Sequence, residues 1–359
     1  MRYLNQLEPD GLIENFIDHP PLDFTAQTLI DNTPVFSTKF DLLTTLDPDL
    51  FRRIQKLLFY KYWSEWLKPY TCFVGTTVSE YTLLPAEQLP KTWVVKLKEL
   101  LSNKYSFLII KDIPHASPLL NENENQSAAA LISEAKKHGF IIVEGQALAW
   151  VPINFTSVDE YINRLSKSRR KNIRRKLKNI ELLDVQVIQT GDTYFSSKSV
   201  IDEFYQLYLN VFNQSDIHFD QLSYNFLEAM LKNGNDKGVV FIYRLNNEIL
   251  GYNICFVVNN KLIDKYIGFQ YPLAREYDLY FISWFVNLGY ALEHQLTQYV
   301  AGWTDPEVKK SLGAQFTFTH HAVFIRNPVI RNLLKPFKPL FERDHQFAET
   351  TKQEVINEK

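Results

Sequence analysis

Cysteine is nearly missing from this chain: its 359 residues include two, Cys72 and Cys255. Two thiols exclude a disulfide framework, and both lie in apolar, strand-like runs, so they read as buried free thiols. An excess of either charge is missing too. With 39 Lys and Arg against 41 Asp and Glu the formal net charge is −2, so any attraction for nucleic acid must come from a local patch. No window approaches the roughly 20 apolar residues that cross a bilayer. The opening MRYLNQLEPD has neither the apolar core nor the small-residue cleavage site of a secretory signal. A cytoplasmic protein without membrane insertion is expected. No Walker loop, G-x-S-x-G turn or H-E-x-x-H helix occurs. His320 and His321 are strand neighbours that face opposite ways and cannot chelate one ion together, so no metal site is expected.

Aromatic residues are plentiful, with 26 Phe and 19 Tyr, and they suit large cores and strand-rich segments. The chain converges on Lys261 to Ala314. A strand over Lys261 to Phe269 leads into a polar loop, Gln270 to Asp278. An apolar helix then runs from about Leu279 to Leu296, with Phe281, Trp284, Phe285, Leu288 and Leu292 at helical spacing. A short strand, Gln298 to Ala301, a second loop, Gly302 to Asp305, and a short helix complete the stretch. Strand, helix and strand in this order make a parallel pair, and ligands bind beyond the carboxyl ends of such strands.

Elsewhere, residues 1 to about 50 read as an irregular arm. A helix is expected over Asp47 to Trp66 with Asp47 as its cap. Thr71 to Leu84, a strand or a hairpin around Gly75, helix Lys91 to Leu101 and strand Tyr105 to Ile110, stopped by Asp112 and Pro114, follow. Asn121 to Gln126 reads as a polar loop, Ala128 to His138 as a helix, and Phe140 to Val143 and Ala147 to Ile153 as two strands. After a basic helical connection come a strand at Val185 to Ile188, helical segments broken near Ser215 to His218, and a hairpin of Val239 to Tyr243 with Ile249 to Val258. A last strand, Thr317 to Ile325, and a helix of about Ile330 to Lys335 precede Pro336, Pro339 and a polar tail from Arg343.

Four stretches, SKSRRKNIRRKLKNIE (Ser166 to Glu181), IDKYIGFQYPLARE (Ile263 to Glu276), AGWTDPEVKKSLGA (Ala301 to Ala314) and THHAVFIRNPVIR (Thr319 to Arg331), carry a resemblance. The chain resembles the Fem-like branch of the GNAT-fold N-acyltransferases, which includes peptidoglycan-biosynthesis proteins. The resemblance implies an α/β (α+β) fold of tandem GNAT-like domains, each a mixed, mostly antiparallel sheet with flanking helices. Residues 51–160 would form the first and 161–342 the second, with residues 343–359 a tail. It also implies transfer of an acyl or aminoacyl group to an acceptor amine. The donor would be an acyl-CoA, as co-substrate rather than resident cofactor, or an aminoacyl-tRNA. One feature departs from the family. Acyl-CoA-binding GNAT domains present a Q/R-x-x-G-x-G/A turn to the pyrophosphate, with amides aimed at the anion from a helix N-terminus. Here QYPLAREYD has no glycine, Pro272 removes an amide, Glu276 and Asp278 oppose a phosphate, and Arg275 alone favours one.

Candidate residues follow from placement. Asp264 and Tyr266 lie two apart on a strand and would share a face; they are either a cleft pair, base and proton donor, or a buried pair bonding neighbouring strands. Asp305 is either the cap of the helix starting at Pro306, with Lys309 as its i,i+4 partner, or a general base beside Glu307. Trp303 would wall the pocket, and Tyr280 is a second candidate proton donor. Eight cations fall between Lys167 and Lys178. On a helix, Leu165, Ile173, Leu177 and Ile180 form an apolar seam that also takes in Arg169. The others, Arg170 and Arg174 among them, point outward. This face either grips the phosphates of CoA or tRNA or is a solvated helix with Arg169 paired to a carboxylate. Arg169, Arg170, Arg174, Arg275, Lys309 and Trp303 are thus the candidate donor-binding residues. A non-catalytic module that binds an anionic partner through the basic helix is the competing expectation.

Overall fold

The computed structural model describes residues 3–29, 31–45, 48–215 and 219–334. The expected Asp47 cap, the far side of the break at Asp216 to His218, and Lys335, Pro336, Pro339 and the tail from Arg343 lie outside the described residues. The chain forms two compact units. The first gathers Met1–Gln6, Asp23–Ala147 and Thr317–Lys359, the second Leu7–Leu22 and Leu148–Phe316. The sequence reading set limits near residues 50, 160 and 342, whereas these units change over inside Ile141–Pro152 and beside Phe316.

Helix α1 (Asp10–Asp18) opens the second unit, where it packs on a later helix. Its buried Leu12, Ile13 and Phe16 supply the face. Strands β1 (Thr25–Thr28) and β2 (Pro34–Lys39) begin the first. The first 50 residues are therefore not an irregular arm; their elements are short, and short elements leave little periodicity to read. Helices α2 (Pro48–Gln55) and α3 (Tyr60–Trp63), strand β3 (Tyr70–Val74), helix α4 (Pro90–Leu101), strand β4 (Phe107–His115) and helix α5 (Glu122–Lys137) follow. Strand β5 (Ile141–Pro152) then passes from the first unit to the second.

In the first unit the strand order is β1-β2-β3-β4-β11-β5, where β11 is Gln315–Ile325. Strands β3 and β4 are parallel from Thr71↔Phe107 to Val74↔Ile110. Trp93, Leu97 and Leu101 of α4 and Leu131 and Ala135 of α5 pack on Cys72, Val74, Leu108 and Ile110 to form its core. Burial pushes the Cys72 thiol up to about 12, so it stays protonated.

Several expectations need correction here: the helix read over Asp47 to Trp66 is broken into α2 and α3, and the strand or hairpin read over Thr71 to Leu84 is a strand that ends at Val74. Strand β4 runs through Asp112 and Pro114, because Asp112 takes φ 54° and a register shift opposite His320/Ala322 absorbs the extra residue. Asn121 to Gln126 is not a loop. Asn121 accepts the Glu124 amide at 3.0 Å and the Glu124 carboxylate accepts the Asn121 amide at 2.7 Å, a reciprocal cap for α5. The two strands expected on either side of Gly145 are one, because a Cβ at Gly145 would run into Thr319; the glycine serves close strand approach, not a break.

The second unit continues with α6 (Val158–Asn163), α7 (Lys167–Leu177), β6 (Asp184–Gln189), α8 (Lys198–Gln214), α9 (Tyr224–Lys232), β7 (Gly238–Leu245), β8 (Glu248–Val258) and β9 (Lys261–Phe269). After these come α10 (Leu273–Glu276), α11 (Leu279–Glu293), β10 (Gln298–Gly302) and α12 (Pro306–Ser311); α13 (Pro328–Leu334) follows β11 in the first unit. The strand order of the second unit is β5-β10-β9-β8-β7-β6, with β9 and β10 parallel and the other neighbouring pairs antiparallel. Helix α11, with α6 and α7 against it, covers one face and α8 the other. Leu279, Ile282, Phe285, Leu288 and Ala291 of α11 centre the core.

Each unit thus holds one parallel pair joined through a helix, β3-α4-β4 in the first and β9-α11-β10 in the second. Asn121→Ala is expected to cost about 1 kcal/mol of stability through loss of the α5 cap, read as a lower urea midpoint at unchanged slope.

Candidate active site

Strands β9 and β10 pair at Gln298↔Lys261, Tyr299↔Leu262 and Val300↔Ile263 and then part. Beyond Val300 the β10 register shifts and Gly302 pairs with Ala149 of β5, while β9 continues against β8 to Phe269. A gap therefore opens in the parallel pair, and Asp264 is the first β9 residue beyond it.

The β8–β9 register shifts at the same place. Asp264 lies opposite Cys255 and Tyr266 opposite Ile254, which leaves Lys265 as an extra residue. In an unbroken strand Asp264 and Tyr266 would share a face. With the bulge between them they do not: Asp264 turns toward α11, and Tyr266 toward α9, where its ring meets Phe226 at 5.9 Å. The expected pair is thereby dissolved. Lys265 reaches the buried Glu8 carboxylate at 3.6 Å.

Three donors converge on Asp264. Asn253 of β8 donates to Oδ1 at 2.9 Å, and Asn287 of α11 and Tyr299 of β10 donate to Oδ2 at 3.1 and 2.8 Å. The Asn287 amide also donates to the Tyr299 hydroxyl at 3.1 Å. Trp284 packs its ring edge-on against Tyr299, with centroids 5.2 Å apart. Buried Asn287 Oδ1, on the amide that donates to the carboxylate, has no hydrogen-bond partner, so one polar atom beside the carboxylate remains unsatisfied.

Burial raises the Asp264 carboxyl above its ordinary value; the Tyr299 hydrogen bond and the Lys309 charge pull it back in part. Lys309 itself is buried, at 4% exposure. A Cβ on Gly302 would lie 3.8 Å from its Nζ and 3.9 Å from the Asp264 carbonyl oxygen, so the ammonium sits beneath the loop that Gly302 opens with φ 80°. Burial holds the Tyr299 phenol and Cys255 thiol well above their ordinary values. Both stay protonated at neutral pH.

The loops after β9 and β10 flank this carboxylate. Burial raises the Tyr280 phenol, and the charges of Asp305 and Asp264 raise it further. Burial raises Tyr271, which Arg275 opposes and Asp305 reinforces. Both tyrosines therefore lie within the field of Asp305, and the two loops are neighbours. Asp305 is exposed, takes φ 53° and makes no side-chain cap bond to α12. Its carbonyl accepts the Lys309 amide at 3.1 Å. The capping expectation is not met, since a left-handed residue turns its side chain away from the helix start. Glu307 is exposed and Trp303 half-buried. Two open surface hollows, one lined by residues of β6 with Asp192, Thr193 and Tyr194, the other by Val95, Lys98, Glu99, Ser102, Asn103 and His138, share no residue with this cluster.

On the basic helix, Ile173 is buried and Leu177 and Ile180 pack on the core, but Arg169 is exposed. The helix begins at Lys167, so Leu165 stands outside it and fixes no helical face. Arg170 donates to the carbonyls of Asn163 and Leu165 at 3.2 and 2.7 Å, and Arg174 to Asp159 and Asn163 at 2.7 and 2.9 Å. Lys176 pairs with Asp278 at 2.7 Å and lies over the Phe281 ring. These cations tie α7 to α6 and to the start of α11. Lys167, Arg169, Lys171, Arg175 and Lys178 remain on the exposed side. Among the described residues no group of three or more His, Cys, Asp or Glu is placed to hold a metal ion, and no helix is long and apolar enough to cross a membrane.

Two units with one parallel pair each, in a mixed sheet with flanking helices, give the chain a tandem GNAT-like fold. More particularly, the chain belongs to the FemAB-like family, described as peptidoglycan biosynthesis/recognition, whose model matches residues 114–357. Among solved structures it is similar to FemX at 13% identity, TM-score 0.51, over 90% of this chain and 98% of that one. It is also similar to L-PGS from Bacillus licheniformis at 9% identity, TM-score 0.54, over 93% and 98%. The C-terminal domain of a lysylphosphatidylglycerol synthetase from Agrobacterium fabrum, described as putative, matches at 9% identity, TM-score 0.53, over 87% and 86%. No curated protein sequence matches the chain. Family and fold support acyl or aminoacyl transfer as the class of reaction and specify neither donor nor acceptor.

Tyr299→Phe removes a donor to the carboxylate, and Lys309→Met removes the compensating cation. Each is expected to move the Asp264 titration to higher pH in a carbon-detected NMR titration of carboxyl groups. An unmoved titration in both would show that neither residue supports the Asp264 anion.

Proposed function

We propose that this protein is an N-acyltransferase that passes an acyl or aminoacyl group directly to an amine in the gap between β9 and β10. The observation that carries the reading is Asp264: a carboxylate with a raised pKa at the point where the parallel strands part. In this reaction the acceptor nitrogen attacks the donor carbonyl carbon, the new C–N bond forms, and the C–O or C–S bond to the carrier breaks. Asp264 takes the amine proton, directly or through one water. The β9 edge beyond Ile263, unpaired toward β10, offers backbone N–H groups to the carbonyl oxygen. Tyr280, kept protonated, gives a proton to the departing carrier. Holding both substrates in the gap supplies much of the rate.

Between the two donors, the loop before α11 favours an aminoacyl-tRNA over a CoA thioester. A pyrophosphate there would meet the Asp278 carboxylate, which already takes Lys176 at 2.7 Å, and would find no glycine amide. The outward cations of α7 suit a polynucleotide instead. That same observation sustains the second reading, a non-catalytic module that binds an anionic partner through α7.

Asp264→Ala is expected to lower kcat/KM by roughly a hundredfold or more with the fold intact. In the wild type, activity should fall as the pH drops through the raised Asp264 pKa, because the base must be ionised. Thermal shift with acyl-CoAs and filter binding to aminoacyl-tRNA at two salt concentrations separate the donors. Steeply salt-dependent tRNA binding with aminoacyl transfer supports the proposal. The same binding with no transfer to any amine, and no effect of Asp264→Ala, leaves the binding module.

A further inference from the structure

Between β2 and β3 the first unit carries a segment that the chemistry above does not use. Helices α2 and α3 are joined there by a turn through Lys56, Leu57, Leu58 and Phe59. The sequence from Pro48 to Lys68 holds five basic and two acidic residues, and one of the acids, Glu65, is paired with Lys68 at 2.6 Å. On this cationic ground stand large apolar side chains without cover: Leu58 is 84% exposed, Tyr62 80%, Phe59 73% and Leu57 57%. Soluble surfaces seldom gather such residues in one place without a function.

The arrangement favours one kind of occupant. A helix that docks in a protein groove offers residues at i, i+3 and i+4. Leu57, Leu58 and Phe59 are instead consecutive and all project from a turn, which makes a wedge rather than a face. The turn is held in that form. Trp63 donates its indole N–H to the Leu58 carbonyl at 3.2 Å, and its ring meets Tyr60 edge-on at 5.2 Å. Phe59 adopts φ 61°, a region costly for a bulky side chain. Tyrosine and tryptophan settle at membrane–water boundaries, and the exposed Arg53 and Lys56 flank the wedge, where they would meet anionic headgroups.

We propose that Pro48–Lys68 docks this protein on an anionic phospholipid surface, with Leu57, Leu58 and Phe59 entering the boundary between headgroups and acyl chains and Arg53 and Lys56 meeting the phosphates. The contact is interfacial and requires no membrane-spanning helix. It is tested with the full chain in co-sedimentation with phosphatidylcholine vesicles, with and without phosphatidylglycerol. Wild-type protein should partition onto the phosphatidylglycerol vesicles, less so at high salt. The double substitution Leu58→Ser and Phe59→Ser should lower partition roughly tenfold or more without moving the melting temperature, since both side chains lie in solvent. Arg53→Glu with Lys56→Glu should abolish the preference for anionic lipid. Absence of partition by the wild type, or equal partition by the serine variant, overturns the proposal. So does a concentration-dependent dimer that the serine variant loses while vesicles remain unbound, which would make the wedge a protein interface.

Discussion

A carboxylate withdrawn from water must be compensated by donors or cations, and the arrangement around Asp264 is organised by that demand. Its three hydrogen-bond donors come from three elements, β8, α11 and β10. A fourth, α12, brings the charge of buried Lys309. No single element could satisfy it, so the position of the carboxylate is a property of the assembled second unit. The compensation is incomplete: the carboxyl remains raised, and Asn287 Oδ1 beside it has no hydrogen-bond partner.

The bulge at Lys265 gives this site its sidedness. One extra residue turns Asp264 toward α11 and Tyr266 toward α9, and it falls where β9 loses β10 as a neighbour. Two register shifts, one in β10 after Val300 and one in β9 at Lys265, thus coincide beside Asp264. In the first unit the corresponding parallel pair ends at Val74↔Ile110. There Lys111 pairs with Asp112 and donates to the Thr76 carbonyl at 2.9 Å, so the polar groups satisfy one another.

Much of this was legible in the sequence, because most elements of the second unit announce themselves locally. Strand β9, helix α11, the short β10 and the turn into α12 follow from spacing, and the loops that flank the carboxylate follow from their order. Asp264 stood out as an acid in an apolar strand. What could not be read depends on partners distant in sequence. Nothing local marks Lys265 as a bulge, since its register is fixed by Cys255 and Ile254 across the hairpin. Tyr299 looked like an ordinary strand residue in an apolar run. Asn287 and Asn253 did offer a signal, a lone amide within FVNLG and YNIC, and a buried amide in such surroundings has to bond to something. The basic helix was legible as a helix but not in its use of charge, because the partners of Arg170 and Arg174 lie on α6 and in the turn before α7.

Strand β5 enters the second unit at Leu148, where its end pairs with β10, and β11 returns to the first at Thr317 to pair with β4. Each compact unit is therefore completed by chain that begins or ends within the other's stretch of sequence. No single cut in the polypeptide yields two self-sufficient pieces: an N-terminal fragment lacks the strand beside β4, and a C-terminal one begun after Pro152 lacks the strand beside β10. On a ribosome the first unit must wait for the last strand to emerge before its sheet can close. The two repeats are thereby bound to mature, and to be inherited, together.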